Sequence, residues 1–253
     1  MNVGLYSGAA GMRMGEDYQN LISENLSLQS VPGFKQSIPV FSTDPAAINS
    51  KSLQTTNAGN PASVVMHRVI DFSQGPVQPS GNPYHVAIEG KAFFTVREAD
   101  GTTSYTRNGS FGVSPRGELQ TSDGATVLGK GGSGIKVDIS KASTLTIGSD
   151  GEISQGGIPK GAIGFAHFTN PSASLQAGAF GRFTAAKASD AKQGLDKNDA
   201  VFQNSLEESN GNPVSQMANM IQAARAYEAN SKSMKAIDDT QNQLITNLGG
   251  RPS

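Results

Sequence analysis

The amino-acid sequence predicts an α+β protein in which a central all-β domain lies between two long terminal helices that pair as a coiled-coil-like bundle. Two observations predict this class. Apolar residues recur at helical spacing near both ends of the chain, and short apolar runs alternate with turn dipeptides in the middle. The 253 residues include 30 glycines, 12 prolines and no tryptophan. This composition favours short strands joined by many turns.

The first predicted element is a helix within a terminal segment of residues 1–35. Its stripe advances by alternating steps of four and three residues, a heptad-like spacing typical of helices that pack on helices. The stripe consists of Ser7, Gly11, Met14, Tyr18, Leu21, Asn25 and Leu28. We expect the helix to end at Val31-Pro32-Gly33, because proline disfavours the helical conformation in the residue before it and glycine suits a left-handed exit.

Residues 36–63 show no sustained periodicity and are rich in serine, threonine, proline and asparagine. This segment is predicted to be an extended linker. It is longer than most connections within compact domains. Such a linker would allow the terminal helices to stand away from the rest of the chain.

Residues 64–202 are predicted to form the β-domain, an irregular sandwich or barrel. Apolar runs such as Val86-Ala87-Ile88 end at glycine-containing turns. The run Ser104-Tyr105-Thr106-Arg107 meets Asn108-Gly109, a dipeptide that suits a type I′ hairpin.

The last segment, residues 203–253, is predicted to contain a second assembly helix that packs with residues 1–35. Asn212 offers an N-cap, Pro213 suits the first helical position, and Gly249-Gly250 ends the pattern. About 35 residues at 1.5 Å each give a rod of roughly 50 Å. Its stripe consists of Val214, Met217, Ile221, Ala224, Tyr227, Ser231, Met234, Ile237, Gln241, Leu244 and Leu248.

An isolated amphipathic helix gains most of its stability from packing, so both stripes need a partner. The helices could pack on the core of the β-domain, or they could pack on each other and on other copies. The heptad-like spacing and the linker favour the second interpretation. The predicted assembly-interface residues are Met14, Tyr18, Leu21, Asn25, Leu28, Met217, Ile221, Ala224, Tyr227, Met234, Ile237 and Leu244.

Several functional classes lack support in the sequence. A formal net charge of −1 gives no electrostatic basis for a nucleic-acid partner, and zero cysteines exclude disulfides and thiolate metal sites. The stretch 129–134 spells a G-x-G-x-x-G pattern, but its glycine run does not open a helix that could hold a phosphate. His67, His85 and His167 have no metal-ligand spacing. We therefore expect no catalytic residues, no cofactor and no metal.

The remaining motifs resemble those of a known family. Residues 24–35 resemble the N-terminal signature of the axial proteins of the bacterial flagellum, the rod and hook family, and residues 206–210 and 220–232 resemble its C-terminal signature. Residues 72–75, 86–90, 105–109 and 150–153 also correspond, in order along the chain. The motif positions are Asn25, Leu26, Gly33, Phe34, Lys35, Ser209, Asn210, Arg225, Tyr227, Glu228 and Asn230.

The resemblance implies a structural role rather than an enzymatic one. It implies a subunit of the periplasm-spanning rod of the basal body, whose helices bundle into an inner tube that transmits torque and lines the export channel. The implied partners are other rod and hook-basal-body axial proteins, further copies of this chain in a helical assembly, and the flagellar type III export apparatus. The N-terminus has no basic and apolar regions typical of a cleaved signal peptide, which agrees with such export.

Alternatives remain within the family, where the chain could be a distal rod protein or another hook-basal-body axial protein, and outside the family. The short segment between Lys35 and Phe72 lacks a glycine-rich insertion associated with distal rod members, so the chain is more similar to proximal ones. Gln29, Gly211 and Ala224 depart from the family pattern, which affects local helix contacts. Outside the family, a cell-surface adhesin would use the β-domain for binding, and an enzyme would use the loop at residues 129–134.

Overall fold

The computed structural model describes residues 3–43, 64–138 and 144–249. It confirms the α+β class, since strands fill the centre of the chain and long helices lie near both ends. In the described part of the chain the helices are Val3–Ser27 (α1), Pro171–Ser174 (α2) and Pro213–Gly249 (α3).

The strands are short. In chain order they are Ser37–Thr43 (β1), Val64–Ile70 (β2), Val77–Pro79 (β3), Val86–Glu89 (β4), Phe93–Arg97 (β5), Thr103–Thr106 (β6), Phe111–Val113 (β7), Leu119–Thr121 (β8), Thr126–Val127 (β9), Leu145–Ile147 (β10), Glu152–Gln155 (β11), Ile158–Ala162 (β12), Phe165–His167 (β13), Leu175–Ala177 (β14), Arg182–Ala185 (β15), Lys192–Gln193 (β16), Ala200–Gln203 (β17) and Ser205–Glu207 (β18).

The chain divides into two compact units whose segments alternate along the sequence. We call the first the helical unit; it comprises Met1–Leu26, Ser37–Val69 and Pro213–Ser253. We call the second the β unit; it comprises Ser27–Gln36 and Ile70–Asn212. The two units are therefore joined by four crossings of the chain.

In the helical unit, α1 and α3 approach closely along a row of glycines. A Cβ atom added to Gly8, Gly11 or Gly15 would lie 2.7, 3.0 or 3.7 Å from the side chains of Met234, Asn230 and Tyr227, respectively. The numbering rises on one helix as it falls on the other, so the helices run antiparallel. Because glycine has no side chain, these three positions of α1 allow the two helices to pack closely. The more specific coiled-coil geometry stays a prediction.

The predicted linker, residues 36–63, needs correction at its N-terminal end, and most of the strand that follows it belongs to the helical unit rather than to the β unit. Residues 37–43 form β1, and residues 64–70 form β2, which pairs with it in a two-stranded sheet of the helical unit. The backbone N–H and C=O groups of each segment form hydrogen bonds with the other segment, which is distant in sequence. The pattern of residues within one segment does not predict such a pairing. Residues 44–63, the rest of the predicted linker, lie outside the described residues.

The unit boundaries also differ from the expected ones. The β unit begins its main segment at Ile70 rather than residue 64, and it takes in residues 27–36 from the expected N-terminal segment. The β unit extends to Asn212, so it also takes in residues 203–212 of the expected C-terminal segment. These residues are not helical, and they include β18. The reason is again long-range pairing, since β18 pairs with β3 through Glu207 and Val77.

The β unit is built on a nine-stranded antiparallel sheet. Seven of its strands follow the order β14-β15-β6-β5-β9-β8-β7, β13 pairs with β5, and β16 pairs with β13. A three-stranded sheet, β10-β11-β12, and two strand pairs, β17-β4 and β18-β3, complete the unit. Several neighbours in space are thus distant in sequence.

Two apolar clusters lie on opposite faces of β5, because successive side chains of a strand point to opposite sides. Phe94 belongs to the larger cluster with Val86, Ile88 and Ile153. Phe93 belongs to the smaller cluster, whose other buried members are Tyr105, Ala166, Phe168, Leu175 and Phe183. Edge-to-face aromatic contacts, such as Phe94 with Phe111 at 4.9 Å between ring centroids, fix the packing of both clusters.

The hairpin predicted at Asn108-Gly109 is wrong. β6 pairs with β5 and β15, whereas β7 pairs with β8. The Asn108 side chain accepts a hydrogen bond from the Ser110 amide at 2.9 Å. A Cβ on Gly109 would lie 1.6 Å from the Val86 carbonyl oxygen, so glycine is needed here for close backbone approach rather than for a type I′ turn.

Candidate assembly site

Helix α3 carries one stripe that is covered within the chain. Gln216 and Ala223 are buried, and the half-buried positions continue the same side of the helix at steps of three and four residues. The half-buried positions are Asn219, Met220, Ala224, Tyr227, Asn230, Ser231, Met234, Ile237 and Gln241. This stripe includes the residues opposite the glycines of α1, so α3 uses it to pack inside its own chain.

A second, apolar strip on α3 is exposed. Val214, Met217 and Ile221 are 74%, 53% and 56% exposed, respectively, and their spacing of three and four residues places them along one side of the helix. Large apolar side chains grouped on a surface mark interaction sites. The structure therefore divides the predicted α3 interface into a covered part, which contains Ala224 and Tyr227, and this outward-facing part.

The predicted interface residues near α1 are also divided. Leu21 and Asn25 are buried, whereas Met14 and Tyr18 are half-buried. Leu28 does not belong to the helix, because α1 ends at Ser27. On α3, the side chain of Leu244 lies outside the described residues.

Asn25 has a role within the chain that its place in the stripe does not reveal. Its Oδ1 atom accepts a hydrogen bond from the Ser37 amide at 2.8 Å, and its Nδ2 atom donates to the Ser37 carbonyl at 2.8 Å. The side-chain amide thus pairs with Ser37 as a neighbouring strand would. This pairing fastens the first residue of β1 beside α1, within the helical unit.

The β unit contains a buried cluster of three charges, Lys35, Glu207 and Arg107. Lys35 Nζ lies 2.5 Å from Glu207 Oε1, and Arg107 Nη1 lies 3.2 Å from Glu207 Oε2. All three side chains are at most 2% exposed. Both carboxylate oxygens of Glu207 are therefore matched by a cation without access to water.

Backbone groups complete this charge cluster. Lys35 Nζ donates to the Ser73 carbonyl at 2.6 Å, and the Gly75 amide donates to Glu207 Oε1 at 3.0 Å. Arg107 donates to the carbonyls of Ile88 and Gly90. Burial lowers the pKa values of Lys35 and Arg107 from their usual range, although Glu207 acts in the opposite direction on both. The cluster joins residues that follow α1 and precede α3 to the strands.

The Asn210 side chain forms hydrogen bonds with two other segments of the chain beside this cluster, at Gln36 and at Asp71 to Ser73. Its Oδ1 atom accepts from the Gln36 amide at 2.9 Å, while its Nδ2 atom donates to the carbonyls of Asp71 at 2.7 Å and Ser73 at 3.1 Å. The Asp71 amide in turn donates to the Gln36 carbonyl at 2.9 Å. One side chain therefore links the segments at which the chain leaves the β unit and returns to it.

Gly33 is required by the same arrangement. Its φ is +68°, and a Cβ there would lie 2.3 Å from the carbonyl carbon of Arg107. Its amide donates to the Glu207 carbonyl at 2.7 Å. The motif glycine thus permits the chain after α1 to pass directly over the backbone that carries Arg107.

The other motif residues differ in environment. Phe34 is buried, Leu26 is half-buried, and the Ser209 hydroxyl accepts from the Gly211 amide at 3.1 Å. Arg225 and Glu228 are exposed on α3. Glu207 and Arg107 were not among the predicted site residues. Both lie within the motif stretches 105–109 and 206–210, but neither stretch identifies the partner of its charge.

Residues 129–134 lie in a turn, whereas His167 lies with two carboxylates in a group that could hold a metal ion, an arrangement that spacing in the sequence did not show. Residues 129–134 form a turn closed by the Gly129 amide to the Ser133 carbonyl at 2.8 Å, and the next described helix begins only at Pro171. His167 Nε2 lies 3.1 Å from Asp196 Oδ2, with Asp199 nearby. Asp199 accepts hydrogen bonds from the Lys91 and Asp196 amides, which shape the loop. Within the described ranges, neither long helix has an apolar stretch sufficient to cross a membrane.

Comparisons with known proteins agree with the motifs. Residues 87–155 match the family described as flagellar hook protein FlgE/F/G D1 domain, and residues 203–248 match flagellar basal body rod FlgEFG protein C-terminal. The chain is 31% identical to flagellar basal-body rod protein FlgF of Caulobacter vibrioides, over 98% of this chain and 99% of that protein. It is 32% identical to flagellar basal-body rod protein FlgG of Buchnera aphidicola subsp. Schizaphis graminum, over 95% and 97% of the two chains.

Proposed function

Because the chain belongs to the flagellar basal-body rod protein family, we propose that it is a structural subunit of the rod that assembles through its terminal helices. Its partners are further copies of itself and other rod and hook-basal-body axial proteins. The single observation that carries this proposal is the exposed apolar strip of Val214, Met217 and Ile221 on α3.

The strip fits a bundle of several helices. One face of α3 already packs against α1 in the same chain, so the strip is available to helices of neighbouring subunits. Complete burial of an aliphatic side chain contributes roughly 1.5 to 3 kcal/mol. Repetition of this contribution in every subunit would favour assembly over the separate chain.

We further propose that the bundled helices line the channel through which later subunits are exported, and that the β units form an outer layer. If torque passes through each subunit, the segments that connect the helical unit to the β unit have to stay in place. The buried charges of Lys35, Glu207 and Arg107 and the hydrogen bonds of Asn210 support this role. They fix the connecting segments on the β unit, and water does not reach the three charged side chains.

Localisation and export follow from the same proposal. The subunit resides in the basal body, spans part of the periplasm with its neighbours, and is exported by the flagellar type III apparatus. Within the family, the short segment between Lys35 and Phe72 favours a proximal position in the rod.

The test is to delete the gene and to restore it with a tagged copy, then to isolate basal bodies. We expect the deletion strain to be non-motile with incomplete rods. The tagged chain should restore motility and co-purify with basal bodies. Normal rods in the deletion strain, or absence of the restored chain from isolated basal bodies, would overturn the proposal.

A further inference from the structure

The β unit exposes several large apolar side chains. Among its described residues, Phe180 is 63% exposed, Ile158 is 60% exposed, and Phe202 is 43% exposed. Phe202 lies within β17, Phe180 lies in the connection between β14 and β15, and Ile158 is the first residue of β12, directly after the turn that follows β11. The positions of Phe180 and Ile158 have features that a solvated loop does not require.

Phe180 lies in the turn Ala179–Gly181, between β14 and β15, with φ 57° and ψ 31°. This left-handed conformation is unfavourable for a residue with a bulky side chain relative to the right-handed one. Glycine or asparagine would adopt it more readily. The fold therefore maintains a strained turn that presents an aromatic ring to the outside.

The ring of Phe180 is supported from below by Arg182. The guanidinium carbon lies 5.6 Å from the ring centroid, a cation–π distance. Arg182 Nη1 lies 2.7 Å from Asp123 Oδ2, and its Nε atom lies 3.5 Å from Glu98 Oε1. Since two carboxylates fix the position of the guanidinium, the guanidinium in turn limits the movement of the Phe180 ring. We call Phe180 with Arg182 the aromatic knob.

The surroundings of the aromatic knob are acidic. Glu98 and Asp123 contact Arg182 directly, and Asp100 lies within its electrostatic reach. One cation is thus accompanied by three carboxylates. An apolar partner with a nearby positive charge would match this surface.

Ile158 lies on a surface with those properties. It follows Gly156 and Gly157, whose φ values are +59° and +80°, at the tip of the hairpin formed by β11 and β12. Lys160 is exposed two residues later, where β12 contains one extra residue between Pro159 and Gly161. We call residues 156–160 the Ile158 tip. It combines an exposed aliphatic side chain with a lysine.

The knob and the tip belong to different sheets of the unit. The knob connects β14 and β15, at one edge of the nine-stranded sheet, and β15 contributes Phe183 to the smaller apolar cluster. The tip belongs to the three-stranded sheet, which contributes Ile153 to the larger cluster on the opposite face. Two complementary but separate patches on one subunit generate a head-to-tail contact that can repeat.

We propose that the aromatic knob of one copy docks against the Ile158 tip of a second copy. This inference rests on the proposed function, since it requires several copies to be adjacent in an assembly. Phe180 packs on Ile158, and the carboxylates around Arg182 face Lys160. The contact joins β units directly, in addition to any contact made by the terminal helices.

The chain has no cysteine, so introduced thiols report this contact specifically. The variant Phe180→Cys/Ile158→Cys is assembled in cells, and isolated basal bodies are treated with a short bismaleimide crosslinker. We expect a product at twice the subunit mass and higher multiples. The matched control Phe202→Cys/Ile158→Cys, which places a thiol at an exposed phenylalanine elsewhere, should yield only the single chain.

The outcomes separate this contact from the proposed function. Basal bodies that contain the variant but give no more crosslinked chain than the control would overturn the contact and leave the rod assignment intact. A crosslink to a different protein would overturn the assignment of the partner as a second copy. Absence of both variants and the unmodified chain from basal bodies would overturn the rod assignment itself, and the contact with it.

Discussion

Lys35 and Glu207 are separated by 172 residues, yet their charged groups lie 2.5 Å apart in the interior of the β unit. Lys35 lies a few residues after α1, and Glu207 lies a few residues before α3. Because Arg107 binds the second oxygen of the same carboxylate, the connections of both terminal helices are fixed to one point among the strands. This relationship leads to the first prediction.

Glu207→Gln should destabilise the β unit by about 3 to 5 kcal/mol, because it leaves two buried cations without a carboxylate. Lys35→Met should cost less, since Arg107 and the Gly75 amide still bind Glu207. Urea denaturation followed by near-ultraviolet circular dichroism measures both. Glu24→Gln is the control, because the Glu24–Arg68 pair is exposed and contributes about 0 to 1 kcal/mol. Equal small effects in all three variants would show that the buried charges do not secure the fold.

Gly33→Ala should destabilise the β unit for two reasons, its positive φ and a collision with the Arg107 backbone. Gly81→Ala separates them, because Gly81 has a similar φ of +72° but open space around the added methyl group. We expect Gly81→Ala to cost about 1 to 2 kcal/mol, the strain alone, and Gly33→Ala to cost clearly more. Urea denaturation of both variants measures the two losses of stability. Equal losses would mean that the chain at residue 33 can move away from Arg107.

Asp71 should make the fold sensitive to acid. Burial alone would raise its pKa, but hydrogen bonds from Ser73 and Gln36 outweigh it and hold the pKa below the usual 3.8. A carboxyl group with a lowered folded pKa contributes stability that is complete above its unfolded pKa and is lost as pH falls through the folded one. Asp71→Asn should therefore reduce stability at neutral pH and flatten its decline in acid. An unchanged pH profile in this variant would contradict the assignment.

Amide exchange on the dilute chain should distinguish the two units. Most positions of α3 between residues 213 and 243 are exposed, whereas β5 is largely buried on both faces. Because a pair of helices with little buried surface opens readily, we expect faster exchange in α3 than in β5. Protection of α3 equal to that of β5 would indicate that the helices are fully stabilised without neighbouring subunits.

The sequence predicted features that depend on local order. The period of the apolar residues and the signals at Pro213 and Gly249 located α3, and proline and glycine near residue 32 placed the end of α1 within a few residues. Alternation of apolar runs with turns predicted the β-rich centre. These elements follow from hydrogen bonds and side-chain patterns within short stretches of chain.

Features that depend on distant partners were not predictable in the same way. Nothing in the local sequence joins Glu207 to Lys35, or Asn210 to Asp71, because both contacts require the folded chain. The same reason explains the failed hairpin at Asn108-Gly109, where close approach to Val86 rather than a turn requires the glycine. The predicted stripe of α3 contained residues that are covered within the chain, such as Tyr227, and residues that are exposed, such as Ile221. Their spacing alone could not separate the two groups.

The most direct measurement concerns Ile221. Its side chain is exposed in the single chain, so Ile221→Asp should change the unfolding free energy by no more than about 0.5 kcal/mol. In the assembled rod it would bury a carboxylate without a partner, at a cost of several kcal/mol in every copy. Gln222→Asp, on the adjacent exposed position, is the matched control. Ala223→Asp should instead destabilise the chain itself, because Ala223 is buried.

We expect the Ile221→Asp protein to be folded, soluble and exported, while basal bodies stop at the rod and cells do not swim. Gln222→Asp should retain motility. Normal motility and complete rods with Ile221→Asp would contradict the claim that the exposed strip of α3 is an assembly surface. Unfolding of the separate chain by Ile221→Asp would contradict it as well, because Ile221 would then serve the core of its own subunit.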